Sequence, residues 1–465
     1  MMNELGVIIL AAGQGKRMKS AFPKVTHALG GKPLLLHVLD TARRLDPGQV
    51  TIIIGHGAEA VKQVYPNDDV EWVVQEQQLG TAHAVLCAKN GFGAFNGDIL
   101  ILSGDVPLIS ERTLKAMIHC HRERNAALTL LTALLKEPRG YGRILRQAGG
   151  QIEGIVEERD AMEAQKQIEE VNAGIYVAAA PFLFPALRAL NNNNEQAEYY
   201  LPDAVTIGLR QGKRIATVMV DDPCEVMGIN TREELAQMEK TLQERINRKW
   251  MDNGVTFKDP NTTYIGADVV IGKDTVIGPN THLLGNTVIG ERCRIDGSAY
   301  LTDVQLGDNV HLKFSVVATS SRVAAGAIIG PFAHLRPRSS LGANVHIGNF
   351  VETKEATIGE GTKANHLTYL GDVTIGRDTN IGAGTIVCNY DGFHKYRTKI
   401  GDRVQVGSDS TLVAPISLGD DVYVATASTL RRDIPAGALA FNERQERVRE
   451  GWTQQKREKM KGIKK

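Results

Sequence analysis

Two hydrophobic rhythms divide this chain. In its first half, short unbroken apolar runs (Val7 to Leu10, Val50 to Ile54, Trp72 to Val74, Ile99 to Leu102) are bounded by Gly, Asp or Pro. Stretches with helical spacing, Leu34 to Leu45 and Thr81 to Ala88, lie between them. Apolar runs separated by helices predict strands buried on both faces of a mostly parallel sheet. Ligands of such α/β sheets collect at the carboxyl ends of the strands. From Tyr264 to Leu430 the rhythm becomes six. Ile265, Ile271, Ile277, Leu283, Ile289, Ile295 and Leu301 form one ladder; it returns at Leu335, Leu341 and Ile347, and again at Ile400, Val406, Leu412, Leu418, Val424 and Leu430. A six-residue repeat predicts a three-sided parallel β-helix in which each aliphatic residue points inward and the glycine or polar residue beside it makes the turn. Period alone does not set the hand.

Between the two rhythms, Thr231 to Trp250 is charged and rich in helix formers, with Leu235, Met238, Leu242 and Ile246 on one stripe. The expected organisation is therefore a Rossmann-like nucleotide-binding domain over 1–232, a linker helix over 233–253, and a hexapeptide-repeat β-helix domain with a C-terminal tail over 254–465. A length of 465 residues also exceeds what one core accommodates.

Charge and cysteine usage narrow the partners. The chain carries 54 basic and 53 acidic residues, a net charge of +1, which argues against nucleic acid held by bulk electrostatics. Cys87, Cys120, Cys224, Cys293 and Cys388 are scattered singly, as in a cytoplasmic protein with reduced thiols rather than a disulfide frame or zinc site. The apolar stretch Leu5 to Ala12 follows Glu4 and lacks a basic flank, unlike a signal peptide, and no run of about 18 apolar residues predicts a membrane span. The lysine-rich tail beyond Trp452 reads as a solvated, disordered end.

Candidate chemistry begins where the first strand ends, in Ala11-Ala12-Gly13-Gln14-Gly15-Lys16-Arg17-Met18, with Pro23-Lys24 following. A glycine-rich turn after a strand lets backbone N–H groups approach phosphates. It is neither a Walker A loop, since Arg17 follows Lys16, nor G-x-G-x-x-G, since Met18 holds the third glycine position. Arg17 and Lys24 beside that turn suit a triphosphate whose leaving group needs charge neutralisation. LAAGQGKRM…PK resembles the sugar-nucleotidyltransferase signature. The resemblance assigns Leu10, Ala11, Ala12, Gly13 and Lys24 to the nucleotide, and Gln75, Gly80 and Thr81 to a uracil-reading segment. Ser103-Gly104-Asp105 closes the strand Ile99 to Leu102, where an aspartate is well placed for Mg²⁺. Gly142, Glu157 and Asn172 match sugar-contacting positions, and Asn230 matches a second metal-contacting position. The implied reaction is attack by a sugar 1-phosphate on the α-phosphate of UTP, with pyrophosphate leaving and no covalent enzyme intermediate. Arg17 and Lys24 are its candidate catalytic cations.

On the solenoid the densest polar set is Arg336, Lys354, His366, Tyr369 and Asn380, then Asn389-Tyr390 in a segment, Cys388 to Lys399, that interrupts the repeat. Arg336 and Lys354 are 18 residues apart, one full coil, and Tyr369, Lys354 and Arg336 fall near whole-coil spacings from His366. Cations for a sugar phosphate and an imidazole for proton transfer are thus expected together. NFVE-x-K…HLTYLGD and NIGAGT-x-x-CNYDG are similar to the acetyltransferase half of the bacterial family of bifunctional N-acetylglucosamine-1-phosphate uridyltransferases/glucosamine-1-phosphate acetyltransferases. That resemblance spans essentially the whole chain and implies a left-handed helix and a homotrimer with its acetyl-transfer site between subunits. It makes His366 the general base, gives Arg336, Lys354, Tyr369 and Asn380 to glucosamine 1-phosphate, and gives Ala383, Asn389, Tyr390, Ser408, Thr426 and Arg444 to acetyl-CoA. The family often has alanine at the position of Thr426 and arginine at that of Glu443, with Arg444 here one place on. A single-function sugar-nucleotide pyrophosphorylase with a structural or regulatory β-helix is the nearest alternative. A metal-dependent hydratase using His311, His334, His346 and His366 is more distant, since His334 and His346, 12 apart, belong to different faces of a coil.

Overall fold

The computed structural model describes residues 4–67, 69–443 and 446–462, and the chain falls into two compact units, 1–246 and 247–465. The first unit is built on nine strands: Leu5–Ala11 (β1), Gln49–Ile54 (β2), Glu71–Val74 (β3), Asp98–Ser103 (β4), Leu128–Leu134 (β5), Arg143–Arg146 (β6), Ile152–Val156 (β7), Glu170–Ala179 (β8) and Ile215–Met219 (β9). Their order is β9-β5-β8-β4-β1-β2-β3, with the β6–β7 hairpin attached to β8. The four expected runs lie inside β1 to β4, which are mutually parallel. Val7 and Ile9 of β1 pack into the core on one face and Ile8 into the core on the other, which is why the run has no polar alternation. Along the path from β9 to β3, β8 is the strand that runs antiparallel to its neighbours, and the β6–β7 hairpin beside it is antiparallel as well. The expected helices are Leu34–Arg43 and Thr81–Cys87.

The charged stretch forms one helix, Arg232–Asp252. Met238, flanked by Leu235 and Leu242, packs in the first unit with Leu29, Leu34, Leu108 and Ile229. From Asn247 onward the helix belongs to the second unit, where the Asn247 amide donates to the carbonyls of Pro260 and Thr263 at 2.8 and 3.0 Å.

The second unit is a parallel β-helix of strands mostly two or three residues long, from Thr256–Phe257 to Leu439–Ala440. Every aliphatic residue of the six-residue ladders named above is buried. Burying each such side chain stabilises by roughly 1.5–3 kcal/mol, so a core can form from strands too short to stand alone. Where a glycine follows the aliphatic residue, it plays a different part from the one expected. A side chain on Gly272 would lie 2.5 Å from the backbone of Gly290 in the next coil, so glycine is there to let coils approach. The left-handed turn falls two residues on, at Asp274, Asn280 and Arg292, with φ of 59°, 53° and 54°. Asp and Asn tolerate that region better than most residues.

The tail departs from expectation too. Trp452–Gly462 is a helix, its described side chains exposed, with Lys456 Nζ 4.7 Å from the Trp452 ring centroid. Gln, Lys, Arg, Glu and Met are all strong helix formers.

Candidate active sites

In the first unit, two adjoining cavities of about 570 and 310 Å³ meet at Leu10, Thr81, Ser103 and Asp105, beside the carboxyl ends of β1 and β4. Ala11, Ala12, Gly13, Lys24, Gln75 and Gly80 line the larger; Arg17, Gly142, Glu157, Asn172 and Asn230 line the smaller. Most expected nucleotide residues therefore lie in the larger and the expected sugar residues in the smaller, while Leu10 and Thr81 line both and Arg17, expected on the triphosphate, lines the smaller. Gly104 lies behind them, its N–H donating to the Leu10 carbonyl at 2.9 Å. The turn needs glycine at Gly15, where φ is 60° and a side chain would lie 2.7 Å from Lys24 Cβ.

The two expected metal ligands share one cation. Lys24 Nζ donates to the Asp105 carboxylate and, at 2.8 Å, to Asn230 Oδ1. Side chains of Lys24 and Asp105 are 13% and 19% exposed. Lys24, expected on the phosphates, is held here by oxygens from the segment after β4 and from the segment before the long helix. Gln75 is buried, its amide donating to the Gly80 carbonyl at 3.1 Å and bonding His83 Nδ1 at 3.0 Å. Two residues escaped the sequence reading: Gln78, whose amide donates to the Ala12 carbonyl at 2.8 Å, and Tyr141, whose hydroxyl accepts from the Gly228 N–H at 3.4 Å. Their only signal was adjacency to motif positions.

On the sugar side, Asn172 follows the β6–β7 hairpin in sequence and precedes a register shift in β8. Its amide donates to Tyr176 Oη at 2.6 Å, and its Oδ1 accepts from the Gly174 N–H at 3.2 Å. Burial, reinforced by Asp203 and Asp160, pushes the Glu157 carboxyl up to about 6. A raised carboxyl pKa means that the fold holds a proton the unfolded chain has lost. Stability therefore falls as pH rises from the unfolded value through about 6, and the full cost persists above it. Glu157→Gln removes that cost. It should stabilise the first unit by roughly 2 kcal/mol at most at pH 8 and little at pH 4.5, measured by urea unfolding. An equal gain at both pH values would contradict the assigned cause.

In the β-helix the register assigns each polar residue to a rung. Asn349 pairs with His366, and the same register carries the corner ladder on through Ala383, Ser408 and Thr426. His366 Nδ1 lies 3.2 Å from Asn349 Oδ1. The amide oxygen can only accept, which puts the proton on Nδ1 and leaves Nε2 free to receive one. Three expected acetyl-CoA residues thus fall directly in line with the imidazole.

The other candidates lie past the corner at Leu367, where φ is 46°, on the next face of the coil. Arg336 sits over Lys354, as their spacing predicted, and Lys354 pairs with Gly371. The bare Gly371 leaves room for the Tyr369 hydroxyl and the Asn389 amide, which donates to Asp372. Arg336 is paired with Glu352 at 2.7 Å. The interrupting segment leaves the rod here, and Tyr390 bridges to Lys395 within it. Lys395 meets Lys354, and that contact holds the Lys395 ammonium below its ordinary range. Lys395 is a cation beside Lys354 that sequence reading missed, because it lies outside the repeat.

The expected whole-coil relation to His366 does not hold. Its coil partner is Asn349, and that of Lys354 is Gly371, five residues beyond His366 along one strand, Lys363–Gly371. Leu367 between them is left-handed, so a corner of the coil separates His366 from Tyr369 and Gly371. Asn380, pairing with Lys363 and Gln405, lies on the His366 side of that corner. Arg444 lies outside the described residues; Glu443 is exposed. Among the described residues no three His, Cys, Asp or Glu side chains form a metal-holding group.

Comparison with known proteins agrees with both units. The family described as MobA-like NTP transferase domain matches residues 7–199, bacterial transferase hexapeptide (six repeats) matches 268–303, and hexapeptide repeat of succinyl-transferase matches 397–430. The bifunctional protein GlmU of Geobacter sulfurreducens is 47% identical over 475 residues, covering 98% of this chain and 100% of its own. That of Geotalea uraniireducens is 47% identical over 457 residues, with 98% and 100% covered. That of Shouchella clausii is 45% identical over 434 residues, with 93% and 95% covered. With both halves matched at such identity across nearly its whole length, the chain belongs to the GlmU family of bifunctional enzymes, which join uridylyl transfer and glucosamine-1-phosphate acetylation in UDP-N-acetylglucosamine synthesis.

Proposed function

We propose that the two transfers are divided between the units, with acetylation on the β-helix preceding uridylylation in the first unit. Acetyl-CoA is the acyl donor and UTP the nucleotide donor. In the acetyl transfer, the amine of glucosamine 1-phosphate attacks the thioester carbonyl, His366 Nε2 takes the ammonium proton, and coenzyme A leaves as the thiol. Arg336, Lys354 and Lys395 hold the sugar phosphate, with Tyr369 and Asn380 on the sugar. Ala383, Ser408 and Thr426 bear on the acyl donor. The observation carrying this reading is the His366 ladder, whose imidazole has one nitrogen anchored and the other free.

In the uridylyl transfer, a phosphate oxygen of the acetylated sugar attacks the α-phosphorus of UTP and pyrophosphate departs. Arg17 and Lys24 neutralise phosphate charge, Gln75, Gly80 and Thr81 face the uracil, and Gly142, Glu157 and Asn172 face the sugar. Asp105 and Asn230 fit Mg²⁺, since both are oxygen donors and already converge on one cation, Lys24. When bound, the ion would supply charge neutralisation for the triphosphate.

A homotrimer in the cytoplasm completes the reading. All five cysteines are free, and among the described residues no helix is long and apolar enough to cross a membrane. The case for assembly is that the corner at Leu367 parts His366 from the Arg336–Lys354 pair, so that a second copy packed against that corner brings the halves of two sites together. Exposed Phe314, Phe332 and Phe350 line that corner, the first pair edge-to-face and the second stacked, with centroids 6.0 and 5.3 Å apart, and Leu367 continues them. Phe350→Glu should lower the mass by light scattering from trimer to monomer and reduce thiol release about tenfold or more. A monomeric wild-type enzyme with full activity would refute the shared site.

The whole reading is tested by incubating the protein with glucosamine 1-phosphate, acetyl-CoA, UTP and Mg²⁺ while following free thiol and pyrophosphate. Both are expected; pyrophosphate from the acetylated sugar without thiol release would leave only the single-function pyrophosphorylase.

A further inference from the structure

Beside the sugar cavity, β8 departs from a regular strand. Asn172 stands opposite Thr132 of β5 and Tyr176 opposite Leu130, so four steps along β8 match two along β5. Gly174 turns the intervening chain with φ of 72°. In a regular strand, residues four apart are separated by about 13 Å. Here the bulge brings their side chains together, and the Asn172 amide donates to Tyr176 Oη at 2.6 Å. Both residues line the smaller cavity, and they are 7% and 1% exposed.

Two contacts fix which way the Asn172 amide faces. The Gly174 N–H can only donate, so the atom 3.2 Å from it is the amide oxygen. The nitrogen is then toward Tyr176, whose phenol burial keeps protonated. Each amide atom has one place left, an N–H on the nitrogen and a lone pair on the oxygen. That pair complements a secondary amide, which likewise offers one N–H and one carbonyl oxygen. A protonated amine offers N–H groups only and leaves the Asn172 N–H without an acceptor. Charge runs the other way. Glu157 lines the same cavity, and Asp203 and Asp160 act on its carboxyl, a set that would draw in an ammonium. Rejecting the unacetylated sugar therefore takes a donor held in place.

We propose that Tyr176 sets the preference for the N-acetylated sugar by locking the Asn172 amide toward the acetamido group. Tyr176 is a positioning residue, and the inference rests on the reading of this cavity as the sugar side of uridylyl transfer. The test is pyrophosphate release by the full-length protein with UTP and Mg²⁺, without acetyl-CoA, from N-acetylglucosamine 1-phosphate and from glucosamine 1-phosphate. Tyr176→Phe, with folding checked by circular dichroism, frees the amide to turn over. It should lower the ratio of kcat/KM for the two sugars about tenfold, chiefly by raising KM for the acetylated one, and leave KM for UTP unchanged. Asn172→Asp, to which the Gly174 N–H and the Tyr176 hydroxyl can both donate, should turn the preference toward the free amine. An unchanged ratio in Tyr176→Phe, an equal fall for both sugars, or an acetyl preference kept by Asn172→Asp would overturn the assignment. So would a wild-type protein that uses both sugars equally. A wild-type protein that forms pyrophosphate from neither would instead remove the uridylyl-transfer reading itself.

Discussion

His366→Ala is expected to cut thiol release from acetyl-CoA by a factor of about 10²–10⁴, the range of a lost general base, while pyrophosphate formation from the acetylated sugar phosphate stays at the wild-type level. The expectation follows from geometry. Asn349 Oδ1 fixes the proton on Nδ1, so Nε2 is presented as an acceptor at an exposed corner. Without it, the ammonium proton of the attacking sugar must pass to water. Asn349→Ala should do less, about tenfold, because the imidazole remains but its tautomer and orientation are no longer held. Loss of both activities in a folded His366→Ala protein would argue against independent sites.

Asp105→Ala should produce the converse. Uridylyl transfer falls by roughly 10³-fold, the size of losing a preorganised charge contact in phosphoryl transfer, and thiol release persists. Two effects combine at this residue. The oxygen proposed for the metal is removed, and Lys24 loses its carboxylate partner while largely buried. Asp105→Asn separates them, since it keeps an oxygen donor without the charge. Its half-saturating Mg²⁺ should rise, and excess Mg²⁺ should restore part of the rate. Uridylyl transfer independent of Mg²⁺ would exclude the metal role of Asp105 and Asn230.

Both sites were partly legible before any coordinates. The turn from Ala11 to Lys24 was readable because a phosphate cradle needs glycine and cations within a few residues of a strand end. Asn230 is 125 positions from Asp105 and was reached only through resemblance; its meeting with Lys24 is a tertiary event. The β6–β7 hairpin and the antiparallel β8 carried no distinctive period. β8, buried on both faces, reads like its parallel neighbours, since direction leaves no mark on an apolar run. On the solenoid, whole-coil arithmetic succeeded for Arg336 and Lys354, where the repeat is an unbroken 18. It failed for His366, because Asn349 lies 17 residues away and Lys354 only 12.

The sequence by itself determined the two-part architecture, the inward ladder and the chemical character of both sites, because burial periodicity and local glycine and charge patterns are properties of neighbours along the chain. Only the tertiary structure decided which rung each residue occupies, that Lys24 bridges Asp105 and Asn230, that Lys395 reaches Lys354, and that a corner parts His366 from the Arg336–Lys354 pair. Those are distances between segments far apart in sequence, and they depend on coil lengths of 17, 18 or 25 residues that a six-residue rhythm does not resolve.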